Sequence, residues 1–261
     1  MTGPQHIPDR DADARLALAC LDLTSLNDGD TEPVIARLCE RAVTAHGAVA
    51  AVCVWPRFAA FARARLPHGV AVAAVANFPA GGTDVAAALR DAAVIAEAGA
   101  QEIDLVLPWR ALLAGDEAAA AAVLRAVRAA APGLRLKVIL ETGALPDEDT
   151  MRRAAMLALD EGADFLKTST GKLPVGATPR AAQVLLGAIA QHPQASARVG
   201  FKAAGGVRTV ADAAAYAALV RQALGDAAVV PQRFRIGASG LLDDILAVLD
   251  GRAAAPSAAV Y

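Results

Sequence analysis

The chain has 261 residues, 56% of them hydrophobic, and a mean hydropathy of +0.40, which is ample for a large buried core. Its net charge is −2 and 4% of its residues are aromatic, so neither a basic nucleic-acid surface nor a base-stacking platform is expected. Three scattered cysteines, Cys20, Cys39 and Cys53, favour a reducing cytoplasm, and neither a signal peptide nor a membrane span is expected.

Short apolar runs typical of strands alternate along the chain with longer alanine-rich runs typical of helices. Most of the short runs are continuously apolar, as parallel strands covered on both faces should be. From the N-terminus, the predicted strands are 20–23, 49–54, 70–75, 102–107, 134–140, 164–168, 198–202 and 234–236.

The predicted helices fill the gaps between these strands, and most begin at a residue suited to a helix N-terminus. In chain order they run from a cap at Asp30 to about His46, from Pro56, from a cap at Thr83 over 84–98, over 109–131 with a break near Gly115, from Pro146-Asp147 to Gly162, from Thr178-Pro179, from a cap at Thr209 over 210–224, and from Ser239 to about Leu249.

Eight strand–helix units without a break in composition predict one (β/α)8 TIM barrel over residues 1–250, with a short N-terminal extension. The remaining segment, 251–261, is rich in alanine and proline and is predicted to be a flexible tail that ends in Tyr261. The competing architecture is an open doubly wound sheet. It would need a glycine-rich turn after the first strand, and residues 22–26 supply none.

Polar residues collect at the carboxyl ends of the predicted strands, which form the functional face of such a barrel. Asp22 and Thr24 belong to the first strand, Asp104 to the fourth, Lys167 to the sixth and Lys202 to the seventh. Strand alternation places Asp104, Lys167 and Lys202 on the inner face, and the sixth and seventh strands are neighbours. We therefore expect the two lysines side by side near the barrel axis.

A lysine at the end of a buried strand indicates a covalent role, because a buried ammonium is costly unless it is paired or loses its proton. Partial burial and a second ammonium at Lys202 should both lower the pKa of Lys167. Its neutral amine could then attack an aldehyde and form a Schiff base, with Asp104 as the proton shuttle. The alternative is a buried Asp–Lys ion pair with the other lysine solvated.

Two further residues compete for a chemical role. Lys137 also has inward parity and is a rival nucleophile, although its deeper position favours a structural partnership with Glu102. Cys53 is either a small core residue or a reactive thiol near the functional face. The four histidines have no metal-ligand spacing, so neither a metal site nor another cofactor is expected.

Glycine-rich loops after the last strands suggest a phosphate site. Gly205 and Gly206 follow the seventh strand and lead into a helix, and Gly237 and Ser239 open the last helix. Glycines let backbone N–H groups approach an anion, and helix N-termini favour negative charge. Gly171-Lys172 could contribute from the sixth strand. The alternative is that these glycines only make tight turns.

Several motifs resemble those of the deoxyribose-phosphate aldolase family, in that family's order and over about residues 15–242. They are segments 22–27, 52–58, 77–79, 102–104, 137–143, 165–172, 200–202 and 205–209. The resemblance implies that Lys167 is the Schiff-base lysine and that Asp104 and Lys202 are the proton-transfer pair. Tyr261 resembles a C-terminal tyrosine that assists proton transfer. The implied substrate- and phosphate-binding residues are Asp22, Thr24, Thr170, Gly171, Lys172, Gly205, Gly206, Gly237 and Ser239.

The resemblance further implies a class I aldolase without metal or other cofactor, acting in cytoplasmic deoxyribonucleotide catabolism. It would reversibly cleave 2-deoxy-D-ribose 5-phosphate to acetaldehyde and D-glyceraldehyde 3-phosphate. The expected partners are this sugar phosphate and the aldehydes, without nucleic acid or membrane, and a homodimer is left open. Two other hypotheses stand beside it: a different Schiff-base barrel enzyme, and a catalytically silent sugar-phosphate-binding barrel.

Overall fold

The computed structural model describes residues 9–252, in which eight parallel strands close into a barrel. Each strand pairs with the next one along the chain, and the last closes against the first. The (β/α)8 TIM barrel expected from the sequence is confirmed. The strands are β1 (Leu21–Thr24), β2 (Ala51–Val54), β3 (Ala71–Ala76), β4 (Glu102–Val106), β5 (Arg135–Ile139), β6 (Phe165–Lys167), β7 (Gly200–Ala204) and β8 (Phe234–Ala238).

Helices cover the outside of this barrel. Within the described residues they are α1 (Arg10–Ala19), α2 (Glu32–Arg41), α3 (Ala59–Arg63), α4 (Val85–Glu97), α5 (Trp109–Leu113), α6 (Glu117–Ala130), α7 (Glu148–Asp160), α8 (Pro179–Gln191), α9 (Val210–Leu224) and α10 (Leu241–Leu249). None of them combines the length and the apolar character needed to cross a bilayer.

Several predicted helix boundaries are confirmed. The break between α5 and α6 lies at Gly115-Asp116, and Thr178 caps α8 through its side chain. Thr209 caps α9 in a reciprocal arrangement with Asp212, in which each side chain accepts a backbone N–H of the other residue. Asp147 likewise caps α7. Local capping chemistry was therefore a sound guide to these helices.

Other predicted boundaries were wrong. The helix expected to reach His46 ends at Arg41, and a short antiparallel hairpin of Val43–Thr44 with Gly47–Ala48 follows. The β-branched pair favours a strand, and Gly47, at φ +128°, adopts a turn conformation that few other residues tolerate. The Asp30 carboxylate accepts hydrogen bonds from Ser25 Oγ and the Asn27 amide instead of capping α2.

Three further helix starts differ from the prediction. Helix α1 was not predicted; Asp9 caps it by accepting the Ala12 N–H, and it packs against α9 and α10. Asp84, rather than Thr83, caps α4, and the last helix begins at Leu241 rather than at Ser239. Residues 1–8 and 253–261 lie outside the described residues, so most of the predicted tail and Tyr261 do too.

Strand alternation divides the barrel into two layers, as the sequence predicted. Ile103, Leu105, Leu166 and Phe201 face outward and join the main core beneath the helices. A smaller apolar group faces inward near the carboxyl ends of β1 to β3 and comprises Leu26, Cys53, Ala73 and Val75. Phe165, Val106 and Ile139 share the inward face with Asp104, Lys137 and Lys167, and this mixed interior of apolar and charged side chains holds the candidate site.

Gly200 at the start of β7 has no room for a side chain. A Cβ there would lie 2.4 Å from the Phe165 ring and 2.7 Å from the Arg233 carbonyl oxygen. We therefore expect Gly200→Ala to lower the free energy of unfolding by about 1–3 kcal/mol through overpacking. Urea unfolding measures this change.

Gly187 in α8 supplies the matched control, because a Cβ there would meet nothing within 4 Å. Gly187→Ala should raise the unfolding free energy by about 0.5–1 kcal/mol, since alanine loses less backbone entropy in a helix. Equal effects of the two substitutions would mean that the close contact at Gly200 does not constrain the barrel.

Candidate active site

The strand register brings the predicted lysines together. Lys167 on β6 pairs directly with Lys202 on β7, and Lys202 pairs on its other side with Arg235 on β8. Asp104 on β4 pairs with Lys137 on β5. Because paired residues in neighbouring strands point to the same face, all of these side chains project into the barrel. The expected side-by-side placement of Lys167 and Lys202 is confirmed.

The Asp104 carboxylate joins three ammonium groups. Its Oδ2 atom accepts hydrogen bonds from Lys167 Nζ at 2.7 Å and from Lys202 Nζ at 2.8 Å. Its Oδ1 atom accepts one from Lys137 Nζ at 2.9 Å. Asp104 and both flanking lysines are at most 3% exposed. A single carboxylate thus fixes the relative positions of the lysine amines.

A second carboxylate, Asp22, extends the cluster. Its Oδ2 atom accepts from Lys202 Nζ at 2.5 Å and from Lys137 Nζ at 3.0 Å, and its Oδ1 atom accepts from Arg235 Nη1 at 2.6 Å. Asp22 is fully buried. The sequence placed Asp22 at the pocket, and the structure makes it the bridge between Lys202 and the deeper charges.

The deepest carboxylate is Glu102. It pairs with Lys137 Nζ at 2.6 Å, with Arg235 Nη2 at 2.9 Å and with Arg135 Nη1 at 2.6 Å. Glu102 and Lys137 are completely buried. The predicted structural partnership of Lys137 with Glu102 is confirmed, and Lys137 also reaches both aspartates.

Mutual pairing keeps most of this cluster charged. Burial opposes ionisation of Asp104, but the ammonium groups of Lys137, Lys167 and Lys202 outweigh it and hold the pKa of Asp104 well below its usual range. Burial also favours neutral Lys202, yet the Asp104 and Asp22 carboxylates raise the pKa of Lys202 well above its usual range. Lys137 has a raised pKa for the same reason.

Lys167 differs from the other two lysines because its pKa is lowered. Burial is the largest cause, and the nearby Lys202 ammonium adds to it, whereas the Asp104 carboxylate opposes the shift. The sequence predicted this direction and both lowering causes correctly, and the structure shows that desolvation contributes more than the Lys202 ammonium. Lys167 is therefore the amine of the cluster that loses its proton most readily.

Gly237 makes space for Lys202. It lies in β8 rather than in the loop beyond it, and a Cβ there would approach Lys202 Cε to 2.9 Å and Ala204 Cβ to 3.1 Å. A side chain at this position would push Lys202 away from Asp104 or widen the barrel. Close packing against Lys202 and Ala204 thus favours glycine here, independently of any phosphate.

The loop after β6 is held by a buried carboxylate at the end of β5. Glu141 accepts hydrogen bonds from the Thr170 amide at 3.1 Å and from Thr170 Oγ1 at 2.5 Å. Glu141 adopts a left-handed backbone conformation at φ +55°. Lys172 then reaches across the mouth, where its Nζ donates to the Leu26 carbonyl oxygen at 2.7 Å. This loop therefore lies close to the loop after β1.

The predicted phosphate loops lie at the mouth between β6 and α10. Gly205 approaches the backbone of Gly176, and a Cβ there would come within 2.9 Å of the Gly176 Cα. Two N–H groups at the start of α9 are already occupied, since Asp212 accepts from the Thr209 amide at the cap and Asp244 accepts from the Val210 amide. The loop glycines and the start of α10, which has no side-chain cap, are thus the better sites for an anion.

Two other predicted residues have specific surroundings. The Thr24 hydroxyl donates to the Asp22 carbonyl oxygen at 2.8 Å and so fixes the end of β1. Cys53 is fully buried, and its Sγ atom lies 3.9 Å from Asp104 Oδ2. Burial, with the Asp104 carboxylate, raises the pKa of the Cys53 thiol. The structure thus favours the unreactive form of this cysteine.

Two site residues were not singled out from the sequence as functional. Arg235 lies in a strand between Phe234 and Ile236. A charged residue between apolar strand residues indicates a buried ion pair, and the sequence could have been interpreted in this way. Glu141 was covered only by the motif segment 137–143 and was given no role, because its contact with Thr170 joins positions 29 residues apart. Within residues 9–252, no group of three or more His, Cys, Asp or Glu side chains is arranged to hold a metal ion.

The fold and the site define a (β/α)8 barrel with a buried amine of lowered pKa beside a carboxylate and a second ammonium, an arrangement suited to imine chemistry with carbonyl compounds. The profile of the DeoC/LacD family aldolases matches residues 16–245. The chain belongs to the DeoC/LacD aldolase family, and the family resemblance read from its motifs is confirmed.

Known proteins resemble the chain over almost its whole length. A deoxyribose-phosphate aldolase of Agrobacterium fabrum is 48% identical over 251 residues, which cover 95% of this chain and 96% of that protein. A crystal structure of a candidate deoxyribose-phosphate aldolase from Toxoplasma gondii ME49 superposes with a TM-score of 0.85 at 26% identity, over 94% of this chain and 96% of that one. The tetrameric deoxyribose phosphate aldolase of Aeropyrum pernix gives a TM-score of 0.71 at 25% identity, over 94% and 98%.

The three cysteines should resist alkylation in the folded protein. All are buried, and burial raises the pKa of each thiol, in the case of Cys20 to about 12. Since the thiolate is the reactive form, we expect slow labelling by iodoacetamide at neutral pH and rapid labelling of all three in guanidinium chloride. Mass spectrometry counts the labels. Fast labelling of Cys53 in the folded chain would identify it as a reactive thiol.

Proposed function

We propose that the protein is a class I aldolase that reversibly cleaves 2-deoxy-D-ribose 5-phosphate to acetaldehyde and D-glyceraldehyde 3-phosphate. The single observation that carries the proposal is the lowered pKa of Lys167 at a position where its Nζ lies 2.7 Å from Asp104 and where Lys202 shares the same carboxylate oxygen. Family membership supports the aldolase class, and the Agrobacterium fabrum relative supports the substrate.

The first step of the proposed reaction is imine formation. The neutral amine of Lys167 attacks C1 of the open-chain sugar, and the carbinolamine loses water to give an iminium ion. Loss of water needs a proton on the departing hydroxyl. Lys202, which keeps its proton, and Asp104, which shares its oxygen with Lys167, form the relay that supplies it.

The second step breaks the carbon–carbon bond. The iminium ion accepts the electron pair of the C2–C3 bond, while the C3 hydroxyl gives its proton to the relay, directly or through one water. D-Glyceraldehyde 3-phosphate leaves and an enamine remains on Lys167. Protonation of the enamine carbon and hydrolysis then release acetaldehyde and restore the amine. We assign assistance in that protonation to Tyr261, which lies outside the described residues.

The remaining substrate contacts follow from the mouth of the barrel. We assign the phosphate to the N–H groups of Gly171, Gly205 and Gly206 and to the start of α10 beside Ser239, with the Lys172 ammonium as counter-charge. Thr170 positions the loop through Glu141. Asp22, Thr24 and Gly237 shape the pocket floor around Lys202.

The setting of the enzyme is also part of the proposal. The three free buried cysteines, Cys20, Cys39 and Cys53, support a reducing compartment, which we take to be the cytoplasm. Cleavage of a deoxyribose phosphate would serve deoxyribonucleotide catabolism there. We retain a homodimer as the assembly to be tested by light scattering, although the Aeropyrum pernix relative is described as tetrameric.

Imine trapping tests the nucleophile. The sequence contains only four lysines, Lys137, Lys167, Lys172 and Lys202, so an adduct can be assigned cleanly by peptide mass spectrometry. Borohydride with acetaldehyde should fix a two-carbon adduct on Lys167, and Lys167→Ala should take no adduct and lose turnover by several orders of magnitude. An adduct on Lys137 would instead identify the rival nucleophile.

The same preparation separates the other enzyme classes. Acetaldehyde release from deoxyribose 5-phosphate should be unchanged after treatment with a chelator, and loss of activity would reveal a required metal ion. Cleavage of a hexose phosphate but not of deoxyribose 5-phosphate would favour another Schiff-base enzyme. Binding without turnover would favour the catalytically silent barrel.

Lys172→Gln tests the phosphate site. Glutamine can still donate to the Leu26 carbonyl oxygen, but it removes the positive charge at the mouth. Because a hydrogen bond to a charged group contributes about 1.5–3 kcal/mol, we expect KM for deoxyribose 5-phosphate to rise about tenfold or more. The matched control is 2-deoxy-D-ribose without phosphate, whose KM should change little. An equal rise for both substrates would mean that Lys172 only shapes the loop.

A further inference from the structure

The charges beneath Lys167 form a defined set. The charged or titratable groups that face the interior are Asp22 on β1, Cys53 on β2, Glu102 and Asp104 on β4, Arg135 and Lys137 on β5, Lys202 on β7 and Arg235 on β8. The inward Ala73 and Val75 of β3 carry no charge. Above them at the mouth, Glu141 is bound to Thr170 and Lys172 to the Leu26 carbonyl oxygen.

The carboxylates of this set are saturated without Lys167. Lys137 contacts one oxygen of each carboxylate, while Lys202 and Arg235 between them contact all the oxygens except Asp104 Oδ1. Every oxygen of Asp22, Glu102 and Asp104 therefore has a cationic partner other than Lys167. Lys167 contacts a single carboxylate oxygen, Asp104 Oδ2, and Lys202 contacts the same oxygen.

The charge count points the same way. Three buried carboxylates face three buried cations, Lys137, Lys202 and Arg235, so their charges cancel before Lys167 is counted. A proton on Lys167 would leave an excess positive charge in a site from which water is excluded, which is costly. Arg135 also pairs with Glu102, but 36% of its side chain is exposed, so water screens its charge.

We propose that Lys137 and Arg235 are positioning residues whose fixed charges neutralise the carboxylates beneath Lys167. No carboxylate in the cluster is then left unpaired to stabilise a proton on Lys167. The inference rests on the proposed function for the identity of the nucleophile and extends it by naming what keeps that nucleophile uncharged. Lys137 also holds Asp104 Oδ1, which turns Oδ2 toward Lys167 and Lys202. Neither positioning residue touches the reacting carbon atoms in this assignment.

The directions of the pKa shifts agree with this division of roles. Carboxylates raise the pKa of Lys137 and of Arg235 despite burial, so both keep their charge at neutral pH. Burial lowers the pKa of Lys167, which has one carboxylate contact that it shares. The pKa values of Lys137 and Lys167 thus shift in opposite directions, because the carboxylate that Lys167 contacts is already paired with Lys137 and Lys202.

Lysine-selective ¹³Cε labelling with NMR titration tests the proposal directly. With only four lysines in the sequence, the Lys167 signal is assigned as the one that disappears in Lys167→Met. Lys137→Met removes a cation, so the proton on Lys167 becomes necessary for balance and its titration midpoint should move to higher pH. We expect about a tenfold increase in its ammonium-to-amine ratio at fixed pH.

Glu102→Gln is the matched variant of opposite sign. It removes a carboxylate of nearly the same shape, leaves the cluster with excess positive charge, and should move the Lys167 midpoint to lower pH. The Lys137→Met/Glu102→Gln double variant restores the balance and should return the midpoint toward that of the unmodified protein. A role in packing alone would lower stability in both single variants and leave the Lys167 titration unchanged.

Opposed shifts with recovery in the double variant support the proposal, and shifts of the same sign or no shift overturn it. If Lys137→Met does not fold, Glu102→Gln alone decides, since an unchanged or upward midpoint contradicts the charge balance. Borohydride trapping on the unmodified protein separates this inference from the proposed function. An untrapped Lys167 would refute the function, whereas an unmoved midpoint beside a trapped Lys167 would refute only the positioning role.

Discussion

The Asp104 carboxylate is the contact on which the site depends. One of its oxygens is shared by Lys167 and Lys202, and the other is held by Lys137. Ammonium groups this close would repel one another in a dry interior, so they can coexist only around a common anion. Lys202 and Lys137 also contact Asp22, whereas Lys167 contacts only the shared Asp104 oxygen, so for Lys167 alone burial outweighs the carboxylate. A carboxylate that brings the amines together therefore also leaves one of them easy to deprotonate.

The barrel gives this arrangement its rigidity. Six of the eight strands supply the charged side chains from a closed backbone ladder, and the main core of aliphatic side chains lies outside that ladder beneath the helices. The interior can therefore be given over to ion pairs without removing apolar packing from the fold. Glycines at Gly200 and Gly237 belong to the same design, since larger residues would displace Phe165 or Lys202. In the proposed reaction, the phosphate binds at the loops of the mouth, where exposed backbone can meet an anion.

Much of this could be predicted from the sequence because the signals were local. Alternating apolar and alanine-rich segments indicated the barrel, and capping residues such as Thr178 and Thr209 marked helix starts. Strand parity turned Lys167 and Lys202 inward. Two short segments were predicted wrongly. The hairpin after Arg41 was predicted to be helix, and α1 was not predicted in the polar N-terminal segment. In both places weak propensities were decided by packing against neighbouring elements.

The sequence by itself determined the residue types of the site and the strands that carry them, because side-chain direction in a strand depends only on its period of two. The Lys137–Glu102 pair was predicted from the sequence, whereas tertiary structure alone decided the partners of Asp22. Asp22 and Lys202 are 180 positions apart, and Asp22 and Arg235 are 213 apart. Barrel closure between β1 and β8 creates those contacts, and burial inside the closed barrel lowers the pKa of Lys167. Strand parity and burial indicated the direction of that shift, but the partners of Asp22 and the dominance of desolvation arise from charges and solvent exclusion contributed by the whole ring of strands.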